Sequence, residues 1–471
     1  MRLLDTNTRF FNQSSLGMNE LRNAWGSLID VLDTCLVTGT PTQEVLSIIT
    51  VEDPEYPDLY WLSTLLLNEG HSFEKDYSVI EISGAGDEAL NSVHRVQEVS
   101  DVSVKIAFDK SKYPEKPKDS LPSENLTVKL APLGYAKVFE EPQKAVYRSA
   151  NLDNNRCFLR VDNSCPEGFD PTWNKFARVS IYSDMKSMDD YHPRPGRLKA
   201  PYYPEDPFRA EEQTGSGNTG IYGESKWYYS VRAEAYPIEA QAASHAGPFS
   251  FDILGDDRTF YLTLNLRGYS ETWQRVGYCF GEYTKVSSKT SEYFNFMLAS
   301  HEVFRLANDS SNFLSYNSNP GRVESSSAFG RANNTVGKYF LDSSYEGSII
   351  PKHIKGSFFS LVIGSYSGYD TGFSFNQYHT EINFAEVYIR LYYPRATIFG
   401  GKMRGYYFVN NNISSDNYHL NPKVKDIFDT TLLDGSTIKL GLFNIFHSKS
   451  SGTDFAAMGN LVVAFKLNNW E

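Results

Sequence analysis

The sequence predicts a mainly β protein: a small N-terminal β-rich domain with one amphipathic helix, followed by a large antiparallel β-sandwich-like domain with long loops. Three observations carry this expectation. Aromatic residues are abundant, with 31 Tyr, 31 Phe and 6 Trp making 14% of 471 residues, and such side chains suit a pleated, half-buried surface. Short apolar runs of strand length recur between turns drawn from 33 Gly and 21 Pro. Helical spacing of apolar residues stands out in one segment, near the start.

In that segment Leu21, Trp25, Leu28, Ile29, Leu32 and Leu36 recur three and four apart and mark one face of a helix over Asn19 to Val37. Asn19 is the candidate cap, and Gly39 with Pro41 just beyond ends the helix. The face demands a partner, either a sheet of the same chain or a neighbouring subunit. Leu21, Trp25, Leu28 and Leu32 are therefore the candidate docking and oligomerisation residues.

Strands are expected next at Val45 to Thr50, Tyr60 to Leu67, Tyr77 to Ile82, Val93 to Val99 and Val102 to Phe108. Asp109 to Asn125 carries Pro114, Pro117 and Pro122 among charges and reads as a semi-extended linker or an edge excursion. A domain boundary placed there gives units 1–124 and 125–471, the second with a candidate subdivision near 300–335.

The second unit reads as strands almost throughout: Val128 to Leu130, Lys144 to Arg148, Cys157 to Val161, Ala177 to Tyr182, Trp227 to Val231, Thr259 to Leu266, Val276 to Tyr283, Phe358 to Ile363, Glu386 to Tyr393 and Leu461 to Leu467. Alternation is clearest where Phe260, Leu262, Leu264 and Leu266 share one face. Two long polar segments, Asp189 to Tyr222 and Asn308 to Thr335, interrupt the rhythm as binding loops or segments that order in an assembly.

Composition excludes several classes. With 45 Lys and Arg against 57 Asp and Glu the net charge is −12, and no basic cluster offers a nucleic acid its phosphate contacts. No run of 18 apolar residues exists to span a bilayer as a helix. The opening MRLLDTNTRFFNQSS has no apolar signal core or small-residue cleavage site, so synthesis and first use in a cytoplasm are expected. Four cysteines, Cys35, Cys157, Cys165 and Cys279, form no CxxC pair, which argues against disulfides and zinc.

Catalytic signatures are missing: nucleophile elbow, P-loop, HExxH, EF-hand loop and a GxGxxG after a strand are all absent. The nine histidines are scattered without ligand spacing and read as turn or surface residues. Asp184 with Asp189 and Asp190, and Asp256 with Asp257, could perform acid–base work on a glycan, but Asp256 and Asp257 follow Gly255 in a turn, where Asp serves local hydrogen bonds. The aromatic runs Trp227-Tyr228-Tyr229, Tyr392-Tyr393 and Tyr406-Tyr407-Phe408 alternate across a strand, placing one ring in a core and the next against solvent or a subunit. Tyr202, Tyr203, Tyr222 and Tyr407 are the candidate exposed contact aromatics.

Several stretches carry a resemblance. They are NAWGSLIDVLDTCLVTG (23–39), GHSFEKDYSVIEISGAGDEALNSVHRV (70–96), LAPLGYAKVFEEPQKAVYRSA (130–150), FLRVDN (158–163), ARVSIYSDM (177–185) and GDDRTFYL (255–262). In this order they resemble a family of virion structural proteins of tailed bacteriophages and prophages, intermittently from Asn23 to Leu262. The chain departs from the pattern at Asp109 to Asn125 and around QTGSGNTG, both of which look like insertions.

The resemblance transfers no catalytic residue, cofactor or metal. It implies a phage-borne structural protein and leaves its place on the particle open. A small first domain, long polar loops and many aromatics suggest surfaces completed by neighbouring copies, so the expectation is a non-enzymatic tail, collar or baseplate component, a symmetric homo-oligomer contacting other tail or head–tail proteins, located in a virion assembled in the bacterial cytoplasm. The alternatives are a capsid-decorating protein, a receptor-binding protein that recognises host-surface glycan through its loop aromatics, and a polysaccharide depolymerase using Asp184, Asp189, Asp256 or Asp257.

Overall fold

The computed structural model describes residues 2–190 apart from 122–124, 154–156 and 183. Beyond 190 it describes 199–200, 212–214, 218–220, 225–230, 247–265, 275–285, 295–299, 338–342, 359–363, 383–393, 396–410, 427–431, 437–446, 461–468 and 470. The protein is mainly β, as the sequence predicts.

Strand β1 (Arg9–Asn12) precedes helix α1 (Ser27–Leu32), which runs into a π-helical turn over Asp33–Thr38. Strands β2 (Gln43–Glu52), β3 (Tyr60–Leu67), β4 (Val79–Ser83), β5 (Val93–Val99), β6 (Ser103–Asp109) and β7 (Thr127–Leu130) form a closed barrel in the order β2-β3-β6-β5-β4-β7. Strands β4, β5 and β6 are successive hairpins and β3 returns to lie beside β6, a Greek-key arrangement. Its interior holds Ile48, Leu65, Ile80, Ile82, Val96, Val104, Ile106 and Val128, with Thr50 and Ser63 hydroxyls bonded to each other at 2.8 Å.

A second sheet runs β12-β11-β10-β9-β8, comprising β8 (Tyr135–Glu141), β9 (Lys144–Ser149), β10 (Phe158–Asp162), β11 (Phe176–Tyr182) and β12 (Lys199–Ala200). β13 (Glu212–Thr214) and β14 (Asn218–Gly220) form a ribbon, and β15 (Ser225–Tyr228) also pairs with β11. The third sheet has twelve strands: β16 (Phe251–Gly255), β17 (Thr259–Asn265), β18 (Arg275–Lys285), β19 (Asn295–Ala299), β20 (Lys338–Asp342), β21 (Phe359–Ile363), β22 (Asn383–Tyr393), β23 (Ala396–Asn410), β24 (Ile427–Thr431), β25 (Thr437–Phe446), β26 (Leu461–Lys466) and β1.

Its spine reads β1-β16-β17-β18-β23-β26-β25-β24. Aromatic contacts join it to the second sheet, with Tyr135 against Phe260 at 5.6 Å between ring centres and Trp227 stacked on Tyr278 at 5.5 Å.

The helix is shorter than its apolar spacing predicts. Gly26 stands in the left-handed region at φ +91°, so the chain turns there and helical geometry begins at Ser27. Leu21 instead bridges to Phe249, and Trp25 lies in the turn. Asn19 does not cap the start; its side-chain amide donates to Asp30 O and Thr34 Oγ1 within the helical run. The cap comes from another element: Asn163 Oδ1, after β10, accepts from Gly26 N at 3.0 Å and Leu28 N at 3.1 Å. Gly39 does end the run, at φ +74°, where a Cβ would approach Leu130 O to 2.2 Å.

The segment after β6 is an edge excursion rather than a linker. Ser120 exchanges backbone hydrogen bonds with Ile48, Asp119 Oδ1 accepts from Thr50 N, and Trp61 Nε1 donates to Tyr113 O. Beyond the boundary expected at 124, β7 completes the barrel, while β1 from the first unit pairs with β16 of the large sheet. One apolar core runs through all three assemblies. The subdivision expected near 300–335 and the segment Asn308 to Thr335 lie outside the described residues.

Burial is also more complete than alternation predicts. Phe260, Leu262 and Leu264 share a face, but Tyr261 and Thr263 on the other are equally covered, because the sheet is packed on both sides. Trp227, Tyr228 and Tyr229 are all fully buried for the same reason. His94 is a core residue rather than a turn or surface one: its Nε2 sits 3.1 Å from Leu90 O and its ring packs edge-on to Phe108.

Burial depresses the His94 imidazole to about 4, whereas the unfolded chain titrates near 6.5. Stability from this group is complete above pH 6.5 and is lost as pH falls toward 4, by about 3 kcal/mol in all. Urea denaturation across pH 7 to 4 should show a fall in stability larger by about 3 kcal/mol in the wild type than in His94→Leu, since paired carboxylates such as Asp162 lose stability on acidification in both. Asn163→Ala is expected to cost at least about 1–2 kcal/mol through loss of the cap, read by thermal unfolding.

Candidate functional site

The residues assigned to docking are spent inside the chain. Leu21, Leu28 and Leu32 have no solvent exposure and sit in the common core. Trp25 is half-buried, its Nε1 donating to Pro171 O at 2.9 Å and its ring edge-on to Phe176 at 5.8 Å. The helix face therefore meets a sheet of its own chain. Tyr407 is buried at 8% exposure and is not a surface contact, whereas Tyr202, Tyr203 and Tyr222 lie outside the described residues.

Among the described residues no group of three or more His, Cys, Asp or Glu side chains is placed to hold a metal, and no helix is long and apolar enough to cross a membrane. The Asp256 turn does hold a charged centre. Asp256 Oδ1 accepts from Arg258 N and Thr259 N, the local bonding expected of Asp in a turn. Its carboxylate also takes a two-pronged ion pair from Arg404 on β23, at 3.1 Å from Nη1 to Oδ1 and 2.8 Å from Nη2 to Oδ2.

Arg404 further donates to Thr259 Oγ1 and to Trp470 O. Both ion-pair partners are buried, so Asp256 is a structural anchor joining the β16–β17 turn, β23 and the C-terminal segment. Its oxygens are committed to these donors, which opposes a role in glycan cleavage.

Beside this pair Glu282 on β18 is half-buried, its backbone tied to the same turn through Glu282 N to Arg258 O and Thr259 Oγ1 to Glu282 O. Burial pushes its carboxyl up to about 7, although Arg404 and Arg258 pull the other way. A second buried centre joins Arg160 and Arg178 to Asp162, at 3.2 and 3.0 Å. Both centres lie between strands and tie them together.

The surface reads differently. On β2 the inward residues Ile48 and Thr50 are buried, while their neighbours Ile49 and Val51 point outward and are 55% and 49% exposed. Register places Ile49 opposite Thr64 and Ser47 opposite Leu66 on β3, so Leu66, 39% exposed, lies diagonal to Ile49 on the same outer face. Leu121 follows Ser120, the partner of Ile48, and is 81% exposed.

Ion pairs flank this apolar row, Lys110 with Glu52 and Lys116 with Asp119. The sequence carried its signal in Leu46, Ile48, Ile49 and Val51, a strand apolar on both faces, one of which has no interior to fill.

No family model matches the chain, and no curated protein matches it either.

Arg404→Met is expected to cost about 3–5 kcal/mol, since it strands a buried carboxylate. Asp256→Asn keeps an acceptor for the turn amides and should cost less, both read by urea unfolding. For Glu282 the folded pKa lies above the ordinary 4.5, so its stabilisation is full below pH 4.5 and fades as pH rises through 7. Glu282→Gln should flatten the decline in melting temperature between pH 5 and 8, and an unchanged decline would contradict this assignment.

Proposed function

We propose that this protein is a non-enzymatic structural subunit of a tailed-phage virion, assembling as a symmetric homo-oligomer on other tail proteins in a tail, collar or baseplate. The observation that carries this reading is the exposed row Ile49, Val51, Leu66 and Leu121 on the barrel wall. A contiguous apolar patch costs free energy in water and is relieved when a neighbouring subunit covers it. The ordered motifs between Asn23 and Leu262 add the phage context. The helix, fully engaged within its own chain, has no part in this contact.

Point changes on the outer wall leave the interior intact. Ile49→Glu with Leu66→Glu should preserve the circular dichroism spectrum and melting temperature within a few degrees. The same variant should shift the sedimentation profile from oligomer to monomer and reduce incorporation into particles by at least about tenfold, an interface loss of about 1.4 kcal/mol or more. A wild-type monomer, or undiminished incorporation of the variant, would remove the proposal. Binding of the wild type to a host-glycan array would favour the receptor-binding alternative.

A further inference from the structure

We draw no further inference here: the strongest candidate, the exposed apolar row Ile49, Val51, Leu66 and Leu121 on the outer wall of the barrel, belongs to the surface already described, and nothing in the structure shows which occupant covers it.

Discussion

One buried guanidinium ties together three stretches of the chain that are distant in sequence. Arg95, on β5 and almost wholly buried, donates to five main-chain carbonyls: Asp5 and Thr8 in the N-terminal segment, Asp76 and Tyr77 beside the barrel, and Leu467 near the C-terminus. Burial lowers its pKa to about 10, yet it remains charged at neutral pH, and the ring of carbonyl dipoles takes the place of water. Five acceptors from three distant stretches can be satisfied by one side chain when those stretches converge on it. The Tyr77, Thr8 and Leu467 carbonyls would otherwise be buried and unpaired, at a cost of about 1–3 kcal/mol apiece. Gln97 extends the seam, its amide reaching Leu3 O at 2.6 Å.

The same economy recurs wherever elements meet. Asn163 caps the helix with its oxygen while its amide donates to Phe176 O and the Tyr229 hydroxyl, so one side chain joins helix, second sheet and the segment after β15. Asp33 on the helical run accepts from Tyr147 and pairs with Lys137, covering the open edge of β8. Arg404 and Asp256 do the equivalent for the large sheet. Polar groups at these junctions bond partners distant in sequence, so each bond forms when the elements it joins are in place.

This internal consumption of polar and apolar groups directs attention to what is left over. A helix buried among its own sheets cannot serve a neighbour, and aromatics on doubly covered strands cannot meet a ligand without unfolding. The barrel wall is different because a closed barrel fills its interior with one face of each strand and leaves the other to solvent or to a partner. On that outer face Leu62, opposite Val51, is covered, whereas Ile49, Val51 and Leu66 are left exposed.

The sequence by itself determined the mainly β class and most strands from Gln43 to Tyr182, with Tyr60–Leu67 and Val93–Val99 legible to the residue. Alternation and turn residues are local properties, and local physics suffices to read them. It also placed the end of the helical run at Gly39, because a glycine in the left-handed region is a local necessity. Spacing alone misled at Leu21 and Trp25, since a 3.6-residue period says nothing about the conformation of Gly26, which follows them. Tertiary structure alone decided that β7 belongs to the barrel and β1 to the large sheet, that Tyr407 and Tyr228 are core, and that Asp256 answers to Arg404 on a distant strand. Such partnerships depend on which segments the folded chain brings within hydrogen-bond distance. No window of neighbouring residues contains that information.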